Sequence, residues 1–144
     1  MKIDEVDIKI LSILEKNGRT PNNEIAKRLS LSEGTVRNRI KKMTDSGFLS
    51  VKGLTNINLR QDKQLIYVLV KLTPHKEWER SAKRISELPN VKSASMLTGR
   101  FDILLEVLIE PPEIVHFIGE TLSKIETIIS TESLIAVKSF NKWI

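Results

Sequence analysis

The chain has 144 residues, 40% of them hydrophobic and 28% charged, the balance of one medium or two small folded domains rather than of a disordered segment. It contains no cysteine, which excludes disulfides and thiolate metal sites, and no apolar run approaches the roughly 18–20 residues that cross a bilayer. The net charge of +5 is uneven, with 11 Lys/Arg against 7 Asp/Glu in residues 1–55 and 12 against 11 in the remainder, so the N-terminal third either meets an anionic partner or presents a solvated basic surface.

The opening MKIDEVDIKI is acidic where a secretory leader is basic and then apolar, and a cytoplasmic location is expected. Asp4 is placed to cap a first helix, with Asp7 completing an approximate capping box. Val6, Ile10, Ile13 and Leu14 repeat at helical spacing before Asn17-Gly18 ends the run. Thr20-Pro21 opens a second, short helix with Pro21 at its first position, buried through Ile25, Ala26 and Leu29. Ser32 caps a third helix, whose apolar Val36, Ile40 and Met43 share one face and which ends at Ser46-Gly47. Three helices in under 50 residues, the last two joined by a turn of about three, match a helix-turn-helix.

The stretch FLSVKGLTNINLRQDKQL lacks helical periodicity and reads as a short hinge strand and linker. Beyond it, LIYVLVKL (65–72) predicts a strand and KEWERSAKRISEL (76–88) a helix with Trp78, Ala82, Ile85 and Leu88 inward. KSASMLT (92–98) and FDILLEVLI (101–109) predict two strands, joined by a type II′ turn at Gly99-Arg100. Pro111-Pro112 starts a helix with Ile114, Ile118, Leu122 and Ile125 inward, and ESLIAVKSF (132–140) predicts a last strand. The order βαββαβ gives an α+β chain: an N-terminal helix-turn-helix domain (1–50), a hinge and linker (51–62) and a ferredoxin-like sandwich (63–144). Leu104 and Leu108, with Tyr67 and Leu69, make the sheet face away from the helices apolar. A second copy related by a two-fold axis is expected to cover it, the alternative being the linker or the N-terminal domain.

Three stretches together, DEVDIKILSILEKNGRT, LSEGTVRNRIKKM followed by SGFL, and LTGRFDILLEV, resemble the Lrp/AsnC (feast/famine) transcriptional regulators over nearly the whole chain. The resemblance implies a DNA-binding helix-turn-helix and a dimerising domain that binds an amino-acid effector. It also implies further assembly into rings such as octamers. The family's Gly-Asp-Tyr-Asp is Gly99-Arg100-Phe101-Asp102 here, and its Gly-Val-Ile after the third helix is Gly47-Phe48-Leu49, taken as a conservative change at a buried position.

As the second helix of such a motif, residues 32–46 lie in the major groove of double-stranded DNA. Gly34 permits close approach, and Thr35, Arg37, Asn38 and Lys41 face the bases, Arg suiting guanine and Asn adenine. Arg39 and Lys42 lie to the side, toward phosphates. Ser32 adds a hydroxyl beside the helix N-terminus. The alternative is a solvated basic face, with Arg39 in an internal ion pair. A two-fold protein expects a near-palindromic operator.

The effector reading uses Gly99 and Asp102, with Thr131 and Ser133 matching a polar stretch that the family places around its pocket. Asp102 would accept the ammonium of an amino acid, and Arg100 would favour polar or acidic side chains over cationic ones. The alternative leaves Gly99 a turn residue and Asp102 a solvated strand start. No catalytic set, cofactor site, metal site or membrane partner is expected: His75 and His116 are isolated, Glu77, Glu79 and Glu87 form a charged helix face, and HExxH, Walker A and GxSxG patterns are absent. The alternatives kept open are a tetrapyrrole-decarboxylase-like enzyme on the same architecture and a regulator without an effector.

Overall fold

The computed structural model describes residues 2–74 and 77–144, which fall into two compact units divided after Gly53. In the first, α1 (Glu5–Lys16) starts with a full capping box between Asp4 and Asp7. Pro21 is the N-cap of α2 (Asn22–Leu29), not its first helical residue; its carbonyl accepts from the Glu24 and Ile25 N–H groups, and the extended backbone suits a proline that has no N–H to give. Ser30 turns the chain through the left-handed region at φ 55°. Ser32 then caps α3 (Glu33–Asp45), its Oγ accepting from the Thr35 N–H at 3.1 Å. Gly47, at φ +73°, follows α3 in the left-handed conformation that glycine adopts without a Cβ penalty. Ile10, Leu14, Ile25, Ala26, Val36 and Met43 form one buried cluster on which the three helices converge. Phe48 is 54% exposed, so the expected burial of that position is corrected: past Gly47 the chain presents Leu49 to the core instead.

The second unit contains β1 (Gln64–Leu72), α4 (Trp78–Ser86), β2 (Val91–Met96), β3 (Ile103–Ile109), α5 (111–122) and β4 (Ile128–Ile135). Its antiparallel sheet has the order β2-β3-β1-β4. Ile66, Val68, Val70 and Leu72 of β1 and Ile103, Leu105, Val107 and Ile109 of β3 pack with Ala82, Ile85, Phe117 and Leu122 of the helices, as the two-residue alternation of strands requires.

Several expectations shift. No hinge strand forms; residues 57–59 make a 3-10 turn, and Asn56 makes a single bridge to Trp143. Trp78 is 39% exposed rather than buried, its indole N–H donating to the Thr73 carbonyl at 3.1 Å. The α5 segment runs from a 3-10 turn through one α turn into π turns. The five-residue π spacing puts Phe117 and Leu122 into the core, with Ile114, Ile118 and Ile125 at its margin. The last strand begins at Ile128, ahead of its expected start at 132, and ends at Ile135. The β2–β3 link is wider than a two-residue turn. The ladder ends at Met96–Ile103; one more hydrogen bond, from the Leu97 N–H to the Asp102 carbonyl, spans the two ends, while the Asp102 N–H donates to the Val70 carbonyl of β1.

Candidate nucleic-acid interface and ligand cleft

Burial of Val36 and Met43 fixes which side of α3 faces the core and leaves its polar side outward. Ser32, Gly34, Arg37, Asn38, Lys41 and Lys42 are exposed, and Thr35 and Arg39 half-buried. A Cβ at Gly34 would meet only the Ser32 Oγ, at 4.0 Å, so the approach side there is open. Arg37 pairs with Glu33 and Lys41 with Asp45, each one turn away. Exposed pairs of this kind contribute about 0.3–0.5 kcal/mol, little against a phosphate or a guanine edge. Among the described residues Asn38 and Lys42 have no ion-pair or side-chain hydrogen-bond partner. Together with Thr35, Arg39, Lys2, Asp4 and Asp7 they line a cleft of about 390 Å³.

Arg39 is engaged inside the unit. Its Nη1 donates to Asp4 Oδ2 at 2.7 Å and to Asp7 Oδ1 at 2.9 Å, tying α3 to the start of α1. This is the internal ion pair left open by the sequence, and it uses one nitrogen of the guanidinium.

In the second unit, Arg100 and Thr131 line a cleft of about 490 Å³ together with Lys71, Phe101, Ser130 and Glu132. The β1–β4 register puts Val70 opposite Thr131 and Lys71 opposite Ser130. Gly99 and Ser133 are exposed and do not line this cleft; Gly99 sits at φ +123°, with open space where a Cβ would be. Asp102 is buried rather than solvated, at 6% exposure. Its Oδ2 accepts from the Leu72 N–H at 2.8 Å and its Oδ1 from Lys71 Nζ at 3.1 Å. The Leu72 hydrogen bond first, then the Lys71 ammonium, holds its carboxyl below the usual carboxylate range. Both oxygens are thus already occupied. Arg100 lies over the Phe101 ring, 5.3 Å from its centroid, and among the described residues neither Arg100 nor Glu132 has an ion-pair partner.

Lys71, Phe101, Ser130 and Glu132 were not singled out from the sequence. The one signal was Lys71, a charge interrupting the apolar run LIYVLVKL. His116 lies in α5, while His75 falls outside the described residues. No group of three or more His, Asp or Glu with metal-site geometry occurs among the described residues.

A family model described as winged helix-turn-helix DNA-binding matches residues 3–50, and one described as Lrp/AsnC ligand binding domain matches residues 65–142. The HTH-type transcriptional regulator LysM of Saccharolobus solfataricus is 33% identical over 138 residues, 96% of this chain and 96% of its own. Regulatory protein AsnC of Haemophilus influenzae is 32% identical over 142 residues, covering 95% of this chain and 93% of its own. Among solved structures, E. coli AsnC superposes with a TM-score of 0.70 at 26% identity, covering 96% of this chain and 95% of that one. A Neisseria meningitidis transcriptional regulator in complex with L-Met gives a TM-score of 0.75 at 27% identity, over 98% and 94%. With an N-terminal unit of three helices that exposes the polar side of α3, and a second unit with a four-stranded α+β fold that matches a ligand-binding domain, the chain belongs to the Lrp/AsnC family of helix-turn-helix transcriptional regulators.

Proposed function

We propose that this regulator works in the cytoplasm as a homodimer on near-palindromic double-stranded DNA, and that an α-amino acid held in the Lys71–Arg100–Glu132 cleft modulates it. The observation that carries the effector reading is a guanidinium and a carboxylate, neither in an ion pair, lining one small cleft. Arg100 is suited to the ligand carboxylate and Glu132 to its ammonium, with the Ser130 and Thr131 hydroxyls as further partners. Asp102, whose oxygens are occupied, serves this site by holding Lys71 rather than by receiving the ammonium. With Lys71 and Arg100 at the cleft, polar or acidic side chains are favoured over those of lysine and arginine. The L-Met complex of the Neisseria relative supports the ligand class.

Calorimetry with the twenty amino acids tests the reading. Binding is expected to be lost in Arg100→Ala and in Glu132→Gln; unchanged binding in both variants, or tight lysine binding, would overturn it. Absence of any ligand that raises the melting temperature would favour a regulator acting through assembly alone. A preparation carrying bound tetrapyrrole would favour the enzyme alternative.

Dimerisation is assigned to residues 63–144. On the sheet face away from the helices, the chain's own Ile57 and Ile144 pack against Leu65 and Leu108. Tyr67, Leu69 and Leu104 remain half-buried and Leu134 is 47% exposed, an apolar strip suited to a second copy. Assembly of dimers into a ring such as an octamer is the further expectation, checked by sedimentation.

A further inference from the structure

Arg39 is the basic residue of α3 whose charge is met by two carboxylates at once. Asp4 and Asp7 share it through a single guanidinium nitrogen. The remaining carboxylate oxygens are used within the capping box: Asp4 Oδ1 accepts from the Asp7 N–H at 2.9 Å, and Asp7 Oδ2 from the Asp4 N–H at 3.2 Å. The Asp7 side chain is 5% exposed and that of Arg39 31%. Arg39, before the backbone hydrogen bond from Asp7, holds the Asp4 carboxyl below its usual range, so Asp4 is ionised at neutral pH.

Two physical consequences follow. The apolar contact between α1 and α3, made through Ile10, Leu14, Val36 and Met43, sets which side of α3 faces the core but, being non-directional, holds the rotation of α3 about its axis less sharply than a hydrogen bond does. A charge-assisted bridge from the middle of α3 to the first turn of α1 is directional and fixes that rotation. One guanidinium facing two carboxylates is fully neutralised, so the positive charge left for a phosphate at this cleft is that of Lys2 and Lys42. The unpartnered Asn38, next to Arg39, and Lys42, three positions on, share its cleft with Thr35.

We propose that Arg39 is a positioning residue: bridged to Asp4 and Asp7, it sets the rotation of α3 that brings Thr35, Asn38 and Lys42 to the DNA, and makes no DNA contact itself. The proposal rests on α3 being the reading helix.

The test uses the full-length protein with two probes, a duplex selected from a random pool by the parent protein and a mixed-sequence duplex. Asp4→Asn keeps a capable N-cap and removes one leg of the bridge. Positioning predicts that Asp4→Asn and Arg39→Gln each lower the ratio of selected to mixed-sequence affinity at least tenfold. The slope of log affinity against log salt on the mixed duplex stays unchanged. A phosphate contact predicts otherwise and would overturn the proposal: Arg39→Gln then weakens both duplexes equally and reduces the salt slope by about one, while Asp4→Asn tightens both and leaves the ratio alone. A lower melting temperature with an unchanged ratio in Asp4→Asn also overturns it. If Arg39→Gln does not fold, Asp4→Asn alone decides. Arg37→Ala and Asn38→Ala separate the two failures, since an unchanged ratio in both means that α3 itself is not the reading helix.

Discussion

Asp102 shows how one side chain joins stability to the cleft. Its hydrogen bonds from the Leu72 N–H and from Lys71 are strongest when the carboxyl is ionised. Its folded-state pKa lies below its ordinary value, so the stabilisation is complete above the usual carboxylate range and disappears as pH falls through the depressed value. Asp102→Ala leaves the buried Leu72 N–H without an acceptor and is expected to cost about 1–3 kcal/mol at neutral pH. Urea unfolding at pH 7 and at pH 3 measures this, and the difference between variant and parent should shrink at the lower pH. On the DNA side, Arg37→Ala and Asn38→Ala are each expected to cost about 1–3 kcal/mol and to relax sequence preference, as loss of a bidentate base contact does. Lys42→Ala should weaken binding to all sequences alike and flatten its salt dependence. Competition binding against selected and mixed duplexes separates the two behaviours.

At the scale of elements, α3 depends on its two ends. Ser32 satisfies the Thr35 N–H, and Ser32→Ala is expected to lower stability by about 1 kcal/mol. Gly47 carries φ +73° with open space around it, so Gly47→Ala meets backbone strain rather than a clash, again about 1 kcal/mol. Thermal melts of the full chain check both. A Ser32→Ala variant as stable as the parent would show that packing alone holds the start of α3. The π-turned α5 carries a different lesson. Its buried pair Phe117 and Leu122 lies five residues apart, a spacing that an ordinary 3.6-residue reading assigns to different faces.

For the whole molecule, the uncovered strip of Tyr67, Leu69, Leu104 and Leu134 sets the expected oligomer. Leu69→Asp combined with Leu134→Asp places charge on that strip without touching the helix-side core. It is expected to convert dimers to monomers at micromolar concentration, read by sedimentation. Loss of the dimer should also remove most affinity for a palindromic duplex while preserving weak binding to a single half-site. A dimer that survives both changes would place the interface elsewhere.

Local chemistry sufficed to read much of the chain. Asp4, Asp7, Ser32 and Gly47 mark helix ends through bonds spanning three or four residues, and the stripes of α1, α2 and α3 follow from helical periodicity. The strand alternation of β1 and β3 likewise identified the helix-side core, and the polar side of α3 followed from its apolar one. What tertiary structure decided were contacts between residues distant in the chain. Arg39 finds Asp4 and Asp7 more than thirty positions away, and Asp102 finds Lys71 and Leu72 on a neighbouring strand. Ser130 and Glu132 reach the Arg100 cleft only because β4 lies beside β1. Residue type and spacing report what a side chain is able to bond. Which partner it bonds depends on the register of strands and the docking of helices, set by the sum of many weak contacts across the fold.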